Sequence, residues 1–319
     1  MFSYYKEAEM YHLLSVLDLT LETVVHLIHR TKEMKTLVKT SGGAELLKYR
    51  VMTTLFYEPS TRTSCSFRAA MLRLGGSVID VNIDHSSIQK GESIEDTIKT
   101  VACYSDVIVM RHPDKNAVAD AARESNKPVI NAGDGTGEHP TQALLDLYTI
   151  YSELESIKNT PMKITMVGDL KNGRTVHSLI KLLCMFSGFQ IQYVSPKGLS
   201  IPDEIYQYAE AHGIHQVVDM ELQDAVRDTD ILYVTRIQKE RFTDMAEYEA
   251  VMDTYCVNAR LMESAKECMI VMHPLPRMRE LSCDIDGDPR AAYFRQMENG
   301  MYMRMAILER ILFKSKGMK

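Results

Sequence analysis

The chain has 319 residues, which is enough for two domains of ordinary size with a core in each. Its apolar fraction of 45% and charged fraction of 25% are typical of a globular protein. The 37 basic and 43 acidic residues give a net charge of −6, which excludes nucleic-acid binding through a generally basic surface, so any anion must be held by cations gathered locally.

The first ten residues carry charged side chains and lack the apolar segment of a signal peptide. No run approaches the ~18 consecutive apolar residues that a membrane-spanning helix needs. The cysteines are scattered without a CxxC pair, which favours reduced thiols over disulfides or a zinc ribbon. We therefore predict a cytoplasmic protein with no membrane partner.

Short runs rich in Val, Ile, Met and Tyr alternate with amphipathic segments along the chain. Because these runs are nearly continuously apolar, they are typical of parallel strands covered on both faces. The predicted strands are residues 50–57, 77–82, 106–111, 127–131, 162–168, 189–194, 215–218, 230–236 and 268–272.

Helices are predicted between the strands. One follows Ser60 and is ended by Gly75-Gly76, a second is opened by Ser93, and a third runs from about 140 to 154. This alternation predicts an α/β fold with two doubly wound domains, each with a central parallel sheet flanked by helices.

The predicted first domain is residues 1–142 and the second is residues 143–297. We expect a C-terminal helix at about 298–319 to pack back onto the first domain.

Nearly every predicted strand is followed by polar residues, and ligands of open α/β sheets bind beyond the carboxyl ends of the strands. A chain that only needed connections would use Gly, Asn, Asp and Pro there. The residues after the strands that could bind a ligand are Ser60–Thr63, Arg111, His112, His139, Gln142, Arg174, Arg236, Gln238, Arg241 and His273–Arg277.

The segment Ser60–Thr63 falls at the predicted first turn of a helix, where unpaired amides and the positive end of the dipole point outward. Hydroxyls and the Arg62 guanidinium on that turn make a cradle for a tetrahedral dianion. The plain alternative is an N-cap at Ser60 or Thr61 with a solvated Arg62. The neighbouring Arg and His residues favour the cradle.

Three His-Pro pairs at His112, His139 and His273 suggest three ligands of a zinc ion. Their spacing matches no zinc motif and the accompanying arginines repel a cation, so we predict no metal. Cys65 is expected to be a packed or inert thiol rather than a nucleophile, because no His is adjacent.

Two loops have no assigned chemistry at this point. The segment 133–137, GDGTG, lacks the lysine of a nucleotide-binding loop, so we interpret it as a turn that leads into His139. The polar segment 84–92 is either a surface loop or a mobile lid that brings Lys90 to an anion.

The chain resembles the catalytic chain of the aspartate carbamoyltransferase family, in its eukaryotic multienzyme form. The resemblance runs from about residue 50 to the C-terminus, and the first 45 residues match only loosely. The motifs that carry it, in chain order, are STRTS, KGES, MRHP, HPTQ, GDLKNGRTVHS, TRIQKERF and MHPLPR.

The resemblance implies transfer of a carbamoyl group from carbamoyl phosphate to L-aspartate in pyrimidine biosynthesis, without a cofactor. It implies a homotrimer with active sites shared between subunits, and its multienzyme form leads us to expect a place within a larger pyrimidine-synthesis polypeptide. Residues 1–142 would bind carbamoyl phosphate and residues 143–297 would bind aspartate.

The resemblance also implies site residues, among which Ser86 and Lys90 would come from a neighbouring subunit. Arg62, Thr63, Lys90, Arg111 and His139 would be catalytic. Carbamoyl phosphate would be bound by Ser60, Thr61, Arg62, Thr63, Ser86, Lys90, Arg111, His139, Gln142 and Leu275. Aspartate would be bound by Lys90, Arg174, Arg236, Gln238, Leu275 and Pro276. Glu58 would pair with Arg174 and Arg241 in the closed form.

Two alternatives stay open. Ornithine carbamoyltransferases share STRT and HPTQ, but their pattern has HCLP where this chain has HPLP, and Arg236 suits a dicarboxylate. A non-catalytic anion-binding subunit of the same fold would have lost Thr63, Arg111 or His139, and all three are present.

Overall fold

The computed structural model describes residues 11–154, 161–237, 248 and 255–314. These residues belong to two compact units: unit 1 contains those up to Leu144 and from Asn299 on, and unit 2 contains Leu145–Glu298. None of the described helices is both long and apolar enough to cross a bilayer.

Within the described residues, unit 1 contains one parallel sheet in the order β2-β1-β3-β4. Its strands are β1 (Val51–Phe56), β2 (Ser77–Val81), β3 (Val107–His112) and β4 (Val129–Asp134). A segment around Leu13 adds a parallel bridge to Ile130 on the outer side of β4.

The described part of unit 2 contains a parallel sheet in the order β7-β6-β5-β8-β9. Its strands are β5 (Met162–Val167), β6 (Phe189–Val194), β7 (His215–Val217), β8 (Ile231–Val234) and β9 (Ile270–Met272).

Helices connect the strands in both units. The helices of the described residues are α1 (Leu21–Ser41), α2 (Thr61–Arg73), α3 (Ile94–Ala102), α4 (Ala117–Arg123), α5 (Pro140–Glu153), α6 (Arg174–Leu183), α7 (Asp203–Ala211), α8 (Leu222–Ala225), α9 (Ala259–Met262) and α10 (Tyr293–Lys314). Because parallel crossovers are right-handed, helices whose connections run in opposite directions along a sheet cover opposite faces.

Each sheet has a point where the direction of its connections reverses. In unit 1 the chain goes from β1 to β2 on one side and then returns to β3 on the other side of β1. In unit 2 the same reversal separates β5 from β8. The loops that leave the two strands on either side of such a reversal point diverge, and this leaves a crevice at the carboxyl ends of the strands where ligands bind.

The α/β fold with two parallel sheets is confirmed, and each predicted strand lies within two or three residues of a strand in the structure. The buried side chains explain this success, since β3 and β8 are buried along nearly their whole length and therefore appear as uninterrupted apolar runs.

The start predicted for the last helix is wrong. Helix α10 begins at Tyr293, five residues before the predicted position 298. Residues 315–319 lie outside the described residues. The predicted domain boundaries at 142/143 and 297/298 remain a prediction, and the compact units divide at 144/145 and 298/299.

Candidate active site

The turn that begins α2 follows β1, on one side of the reversal point of unit 1. Ser60 occupies the N-cap position, but its hydroxyl makes no capping hydrogen bond to the first turn. Thr63, one turn further, is 6% exposed. Ser60 is thus the N-cap residue without a capping bond from its side chain, and the positive end of α2 lies at the edge where ligands bind.

Arg111 lies at the end of β3, on the other side of the same reversal point. It is the register partner of Phe56, the last residue of β1. Its Nε donates a hydrogen bond to Oε2 of Glu58 over 3.0 Å, and Nη1 donates to the carbonyl of Ala132 over 3.4 Å. Groups from the neighbouring β1 exit and from β4 thus fix the guanidinium, which is 12% exposed.

The loop after β4 is organised by the buried carboxylate of Asp134. Its oxygens accept hydrogen bonds from the amides of Asn116 and Glu138 at 3.0 and 2.7 Å. Gly137 donates its amide to the Asp134 carbonyl, so the predicted turn in segment 133–137 is confirmed. A Cβ at Gly135 would lie 2.5 Å from the carbonyl oxygen of Pro113, so only glycine allows the exits of β3 and β4 to approach this closely.

His139 and Gln142 follow that turn at the start of α5. The carbonyl of His139 accepts from the amide of Ala143 and begins the helix, while its side chain is 3% exposed. Gln142 is also buried. Because β1, β3 and β4 are adjacent and parallel, their carboxyl ends lie at the same edge of the unit 1 sheet. The candidate residues at or after these ends therefore share that edge: Ser60–Thr63, Arg111 and His139.

His112 joins the loops of this edge together. Its Nδ1 accepts a hydrogen bond from the amide of Asp114 over 3.0 Å, and its ring packs on Tyr57 with centroids 4.9 Å apart. Burial lowers the pKa of the imidazole, and the nearby Asp114 and Asp134 oppose this only in part. The ring is therefore a neutral structural group at neutral pH.

Ser86 and Lys90 lie in the segment 84–92, which folds into two short 3-10 turns, Ile83–His85 and Ser87–Lys90. The Ser86 hydroxyl donates to the carbonyl of Ile83 over 2.9 Å, and Lys90 is exposed. This segment leaves β2, which is the edge strand of the sheet, one strand away from the reversal point.

In unit 2, the loops after β5 and β8 touch each other. A Cβ on Gly168, which has a φ of +112°, would lie 2.2 Å from the carbonyl oxygen of Thr235. The fully buried carboxylate of Asp169 then accepts from the amide of Asn172 over 2.9 Å and shapes the loop that leads to Arg174, the first residue of α6.

Arg236 follows Thr235 in the loop after β8, and Arg174 follows the loop after β5. The two arginines therefore come after the two strands that flank the reversal point of the unit 2 sheet. Both residues are partly exposed. The predicted site residues Gln238 and Arg241 lie outside the described residues, and their roles stay predictions.

A buried imidazole holds the turn after β9. Nδ1 of His273 accepts from the amide of Leu275 over 2.8 Å, and Nε2 lies 2.9 Å from Oε1 of Glu280. This arrangement requires the proton on Nε2. The ring thereby supports Leu275 in a left-handed conformation with a φ of +54°, before the exposed Pro276.

The Glu280 carboxyl is 5% exposed. Burial alone raises its pKa, but the hydrogen bonds from His273 and from the amide of Met278 outweigh burial, so the pKa lies below its usual value. Because both His273 nitrogens bind groups of this turn, that residue is not available to a metal. Among the described residues, His, Cys, Asp and Glu side chains form no cluster suited to a metal ion.

Part of the prediction for Cys65 is wrong, since the thiol is exposed on α2 rather than packed. The acidic residues that shape the site loops were not predicted from the sequence: Asp134, Asp169 and Glu280. Each lies in or next to a loop after a strand, where an acidic residue looks like an ordinary turn residue. Their burial was the missing signal, and it is not visible in the sequence.

Comparison with known families gives a match over most of the chain. Residues 11–152 match the family model described as the aspartate/ornithine carbamoyltransferase carbamoyl-P binding domain. Residues 160–311 match that of the aspartate/ornithine carbamoyltransferase Asp/Orn binding domain.

Two kinds of relative are similar to the chain. It is 52% identical over 303 residues to the multifunctional protein CAD of Squalus acanthias, covering 95% of this chain but only 13% of that protein. It is 45% identical over 309 residues to the aspartate carbamoyltransferase catalytic subunit of Methanocaldococcus jannaschii, covering 97% of this chain and 100% of that subunit.

Solved structures agree with these matches. A crystal structure of Trypanosoma cruzi aspartate transcarbamoylase in complex with carbamoyl phosphate and aspartate has a TM-score of 0.90 and 44% identity. The similarity covers 95% of this chain and 97% of that one. The chain therefore belongs to the aspartate/ornithine carbamoyltransferase family.

Proposed function

We propose that this chain is an aspartate carbamoyltransferase, which transfers the carbamoyl group of carbamoyl phosphate to the amine of L-aspartate. The products are N-carbamoyl-L-aspartate and phosphate, at an early step of pyrimidine biosynthesis. The names of the relatives support this function, and the chain matches the whole length of the Methanocaldococcus jannaschii catalytic subunit. It spans only 13% of the CAD protein, so the activities of that larger protein are not assigned to it.

The observation that carries the proposal is the arrangement at the reversal point of unit 1. A helix begins there with Ser60–Thr63, and the fixed guanidinium of Arg111 ends the adjacent strand. Amides, hydroxyls and guanidinium groups around one edge suit the phosphate of carbamoyl phosphate. In the proposed division of roles, unit 1 binds carbamoyl phosphate and unit 2 binds aspartate.

The proposed chemistry is attack of the neutral aspartate amine on the carbamoyl carbon. The carbonyl oxygen becomes negative in the tetrahedral intermediate, and Thr63, Arg111 and His139 would donate hydrogen bonds to it. Such preorganised donors are usually the largest single contribution to catalysis, and loss of one costs roughly 10²–10³ in rate.

Carbamoyl phosphate and aspartate together carry about four negative charges, which the positive side chains of the site would balance. Those side chains are Arg62, Lys90, Arg111, Arg174 and Arg236. Gln142 and the Leu275 carbonyl would hold the carbamoyl amide. The reaction needs no metal or organic cofactor, because positioning and charge stabilisation suffice for it.

The choice of aspartate over ornithine rests on charge. Arg174 and Arg236 come after the two strands that flank the reversal point of the unit 2 sheet. Two positive side chains at this point suit the two carboxylates of a dicarboxylic amino acid. The cationic side chain of ornithine would be repelled by the same pair. In this proposal Gln238, Leu275 and Pro276 assist the two arginines.

A product assay tests the function. The protein is given carbamoyl phosphate with aspartate or with ornithine, and the products are identified by mass spectrometry. We expect N-carbamoyl-L-aspartate and an equal amount of phosphate, with no carbamoylated ornithine. Turnover of ornithine alone, or of neither amine, would contradict the proposal, and the second outcome would favour a non-catalytic anion-binding subunit.

We also propose that the chain acts as a cytoplasmic homotrimer in which Ser86 and Lys90 complete the site of a neighbouring subunit. The position of their loop on the edge strand β2 supports this, as does the exposure of Leu72 and Ile79, at 62% and 40%, in the α2–β2 region. The CAD match further supports a place within a longer polypeptide.

Mixing two inactive proteins tests the shared site. Lys90→Ala and Arg62→Ala proteins should each be nearly inactive. Random mixed trimers should recover activity at about a quarter of the sites, since a site is intact when an Arg62 chain meets a Lys90 chain. No recovery on refolding the two together would contradict sharing.

A further inference from the structure

A fully buried carboxylate lies inside unit 2 on α5. The oxygens of Asp146 accept hydrogen bonds from the hydroxyl of Tyr233 over 2.7 Å and from Nε2 of Gln296 over 2.6 Å. All three side chains have 0% exposure. We name these three residues, from α5, β8 and α10, the Asp146 cluster.

The cluster reaches the turn after β9 through Gln296. Oε1 of Gln296 accepts a hydrogen bond from the backbone amide of His273 over 2.9 Å. Nδ1 of the His273 ring in turn accepts a hydrogen bond from the amide of Leu275 over 2.8 Å. Three hydrogen bonds, linked through the Gln296 and His273 residues, therefore connect Asp146 to the backbone of Leu275.

A second branch passes through Tyr233. Its hydroxyl donates to Asp146, and the side chain of Thr175, which directly follows Arg174 in the first turn of α6, partly opposes the rise in the pKa of the phenol. Tyr233 itself lies on β8, three residues before Arg236. The Tyr233 phenol thus joins Asp146 on α5 to the strand that carries Arg236, close to the first turn of α6.

The stability of the fold does not by itself explain why this cluster is present. A buried carboxylate has a large desolvation cost, and apolar residues of similar volume often give equal or greater stability. Burial and the neighbouring carboxylate also raise the pKa of the Tyr233 phenol far above its usual range, so the hydroxyl stays a donor. Fully satisfied buried polar networks fix a single arrangement of the elements that they join.

We propose that the Asp146 cluster is a positioning element that fixes Arg174, Arg236 and Leu275 relative to one another for the second, dicarboxylate substrate. The inference rests on the proposed function. None of the three cluster residues touches substrate in this scheme, and each acts through a loop that does. Small misplacements of such loops are enough to reduce the rate about a hundredfold.

Tyr233→Phe tests the proposal because it removes only the hydroxyl. The matched control is Tyr193→Phe on β6, since Tyr193 is 2% exposed and donates to Oε1 of Gln216 over 2.6 Å in the same sheet. Both variants lose one phenol hydrogen bond, which is fully buried for Tyr233 and partly buried for Tyr193, but β6 carries no proposed site residue.

We expect Tyr233→Phe to raise the KM for aspartate about tenfold or more and to lower kcat, with the KM for carbamoyl phosphate unchanged. Tyr193→Phe should leave both KM values unchanged and lose less thermal stability, because its acceptor is a neutral, partly buried amide. Equal kinetics in the two variants, or an unchanged aspartate KM in Tyr233→Phe, would overturn the proposal.

Hydrogen exchange gives a readout that does not depend on activity. Gln296→Met removes the bonds of Gln296 to His273 and to Asp146 but keeps that of Tyr233 to Asp146. It should speed exchange of the His273 and Leu275 amides and leave residues 174–178 as in wild type. Tyr233→Phe should speed exchange at 174–178, unlike Tyr193→Phe. Exchange that is the same in all variants would overturn the inference, whereas an inactive wild-type enzyme would overturn only the proposed function.

Discussion

Within unit 1, the carboxylate of Glu58 accepts a hydrogen bond from Nε of Arg111 over 3.0 Å. The contact is partly shielded from solvent, since the two side chains are 37% and 12% exposed. It aligns one edge of the guanidinium with the exit of β1 and leaves the charge at the reversal point of the sheet. The predicted pairing of Glu58 with Arg174 and Arg241 stays a prediction.

Arg111→Lys tests the geometry of this group rather than its charge. A lysine ammonium cannot reproduce the planar fork that bonds Glu58 and Ala132 while also facing a ligand. We expect kcat/KM for carbamoyl phosphate to fall by roughly 10²–10³, measured at saturating aspartate. Arg123→Lys, at an exposed ion pair with Asp120 on α4, is the control and should behave like wild type. Similar kinetics for both variants would contradict the role of Arg111.

Arg236→Ala tests the proposed division of labour between the two units. We expect the KM for aspartate to rise at least about a hundredfold, because a charge-assisted contact to a carboxylate is lost, while carbamoyl phosphate binding changes little. Steady-state kinetics and calorimetry with carbamoyl phosphate measure the two effects. Arg227→Ala, an exposed position in the same unit, is the control. Equal weakening of both substrates in Arg236→Ala would contradict separate roles.

The buried imidazole of His112 predicts a pH dependence of stability. Since burial lowers its pKa in the folded state, the unfolded chain binds the proton first as the pH falls below about 6.5. The free energy of unfolding should therefore decrease as the pH falls through that value. His112→Asn should reduce this slope by up to about 1.4 kcal/mol per pH unit.

Urea unfolding between about pH 7.5 and about pH 5.5 measures the slope. His12→Asn provides a second case, because burial also lowers the pKa of His12, with Asp18 opposing it. Each variant should remove its own share of the wild-type slope. An unchanged slope in His112→Asn would contradict the prediction, because it would mean that the pKa of His112 is the same in the folded and unfolded chains.

A two-point ion pair joins the first and last helices of unit 1. Nε and Nη2 of Arg30 donate to the two oxygens of Glu309, each over 2.6 Å, and the Glu309 side chain is 14% exposed. Arg30 also pairs with Glu33, which is 61% exposed. The same arginine therefore has one sheltered and one solvated partner.

Glu309→Gln should lower the free energy of unfolding by about 1–2 kcal/mol, because the charged acceptor is sheltered from solvent. Glu33→Gln should lower it by less than about 0.5 kcal/mol, as exposed pairs contribute little. Chemical denaturation of both variants gives the comparison. Equal losses would mean that solvent screens the Glu309 pair as fully as the Glu33 pair.

The strand positions were predictable because β1, β3, β5 and β8 are buried on both faces. The strand order was not, since pairing of β1 with β3 and of β5 with β8 is set by contacts far apart in sequence. The site residues were found as polar groups after strands. Their meeting at two reversal points became visible only with that order.

Helix α1 had readable signals that the sequence analysis did not use. Thr20 caps its first turn, Gly42 ends it with a φ of +78°, and the buried residues from Val24 to Met34 follow helical spacing. The Asp146 cluster is different, because Asp146 interrupts an apolar helix with no indication of its partner. Tyr233 lies 87 positions further along the chain.

The central claim is that guanidinium, imidazole and hydroxyl groups from separate strand exits of unit 1 surround one small dianion. A crystal structure of the protein with carbamoyl phosphate tests it most directly. We expect Arg62, Thr63, Arg111 and His139 all within hydrogen-bonding distance of the same bound molecule. A carbamoyl phosphate bound elsewhere, or held by only one of these groups, would contradict the account.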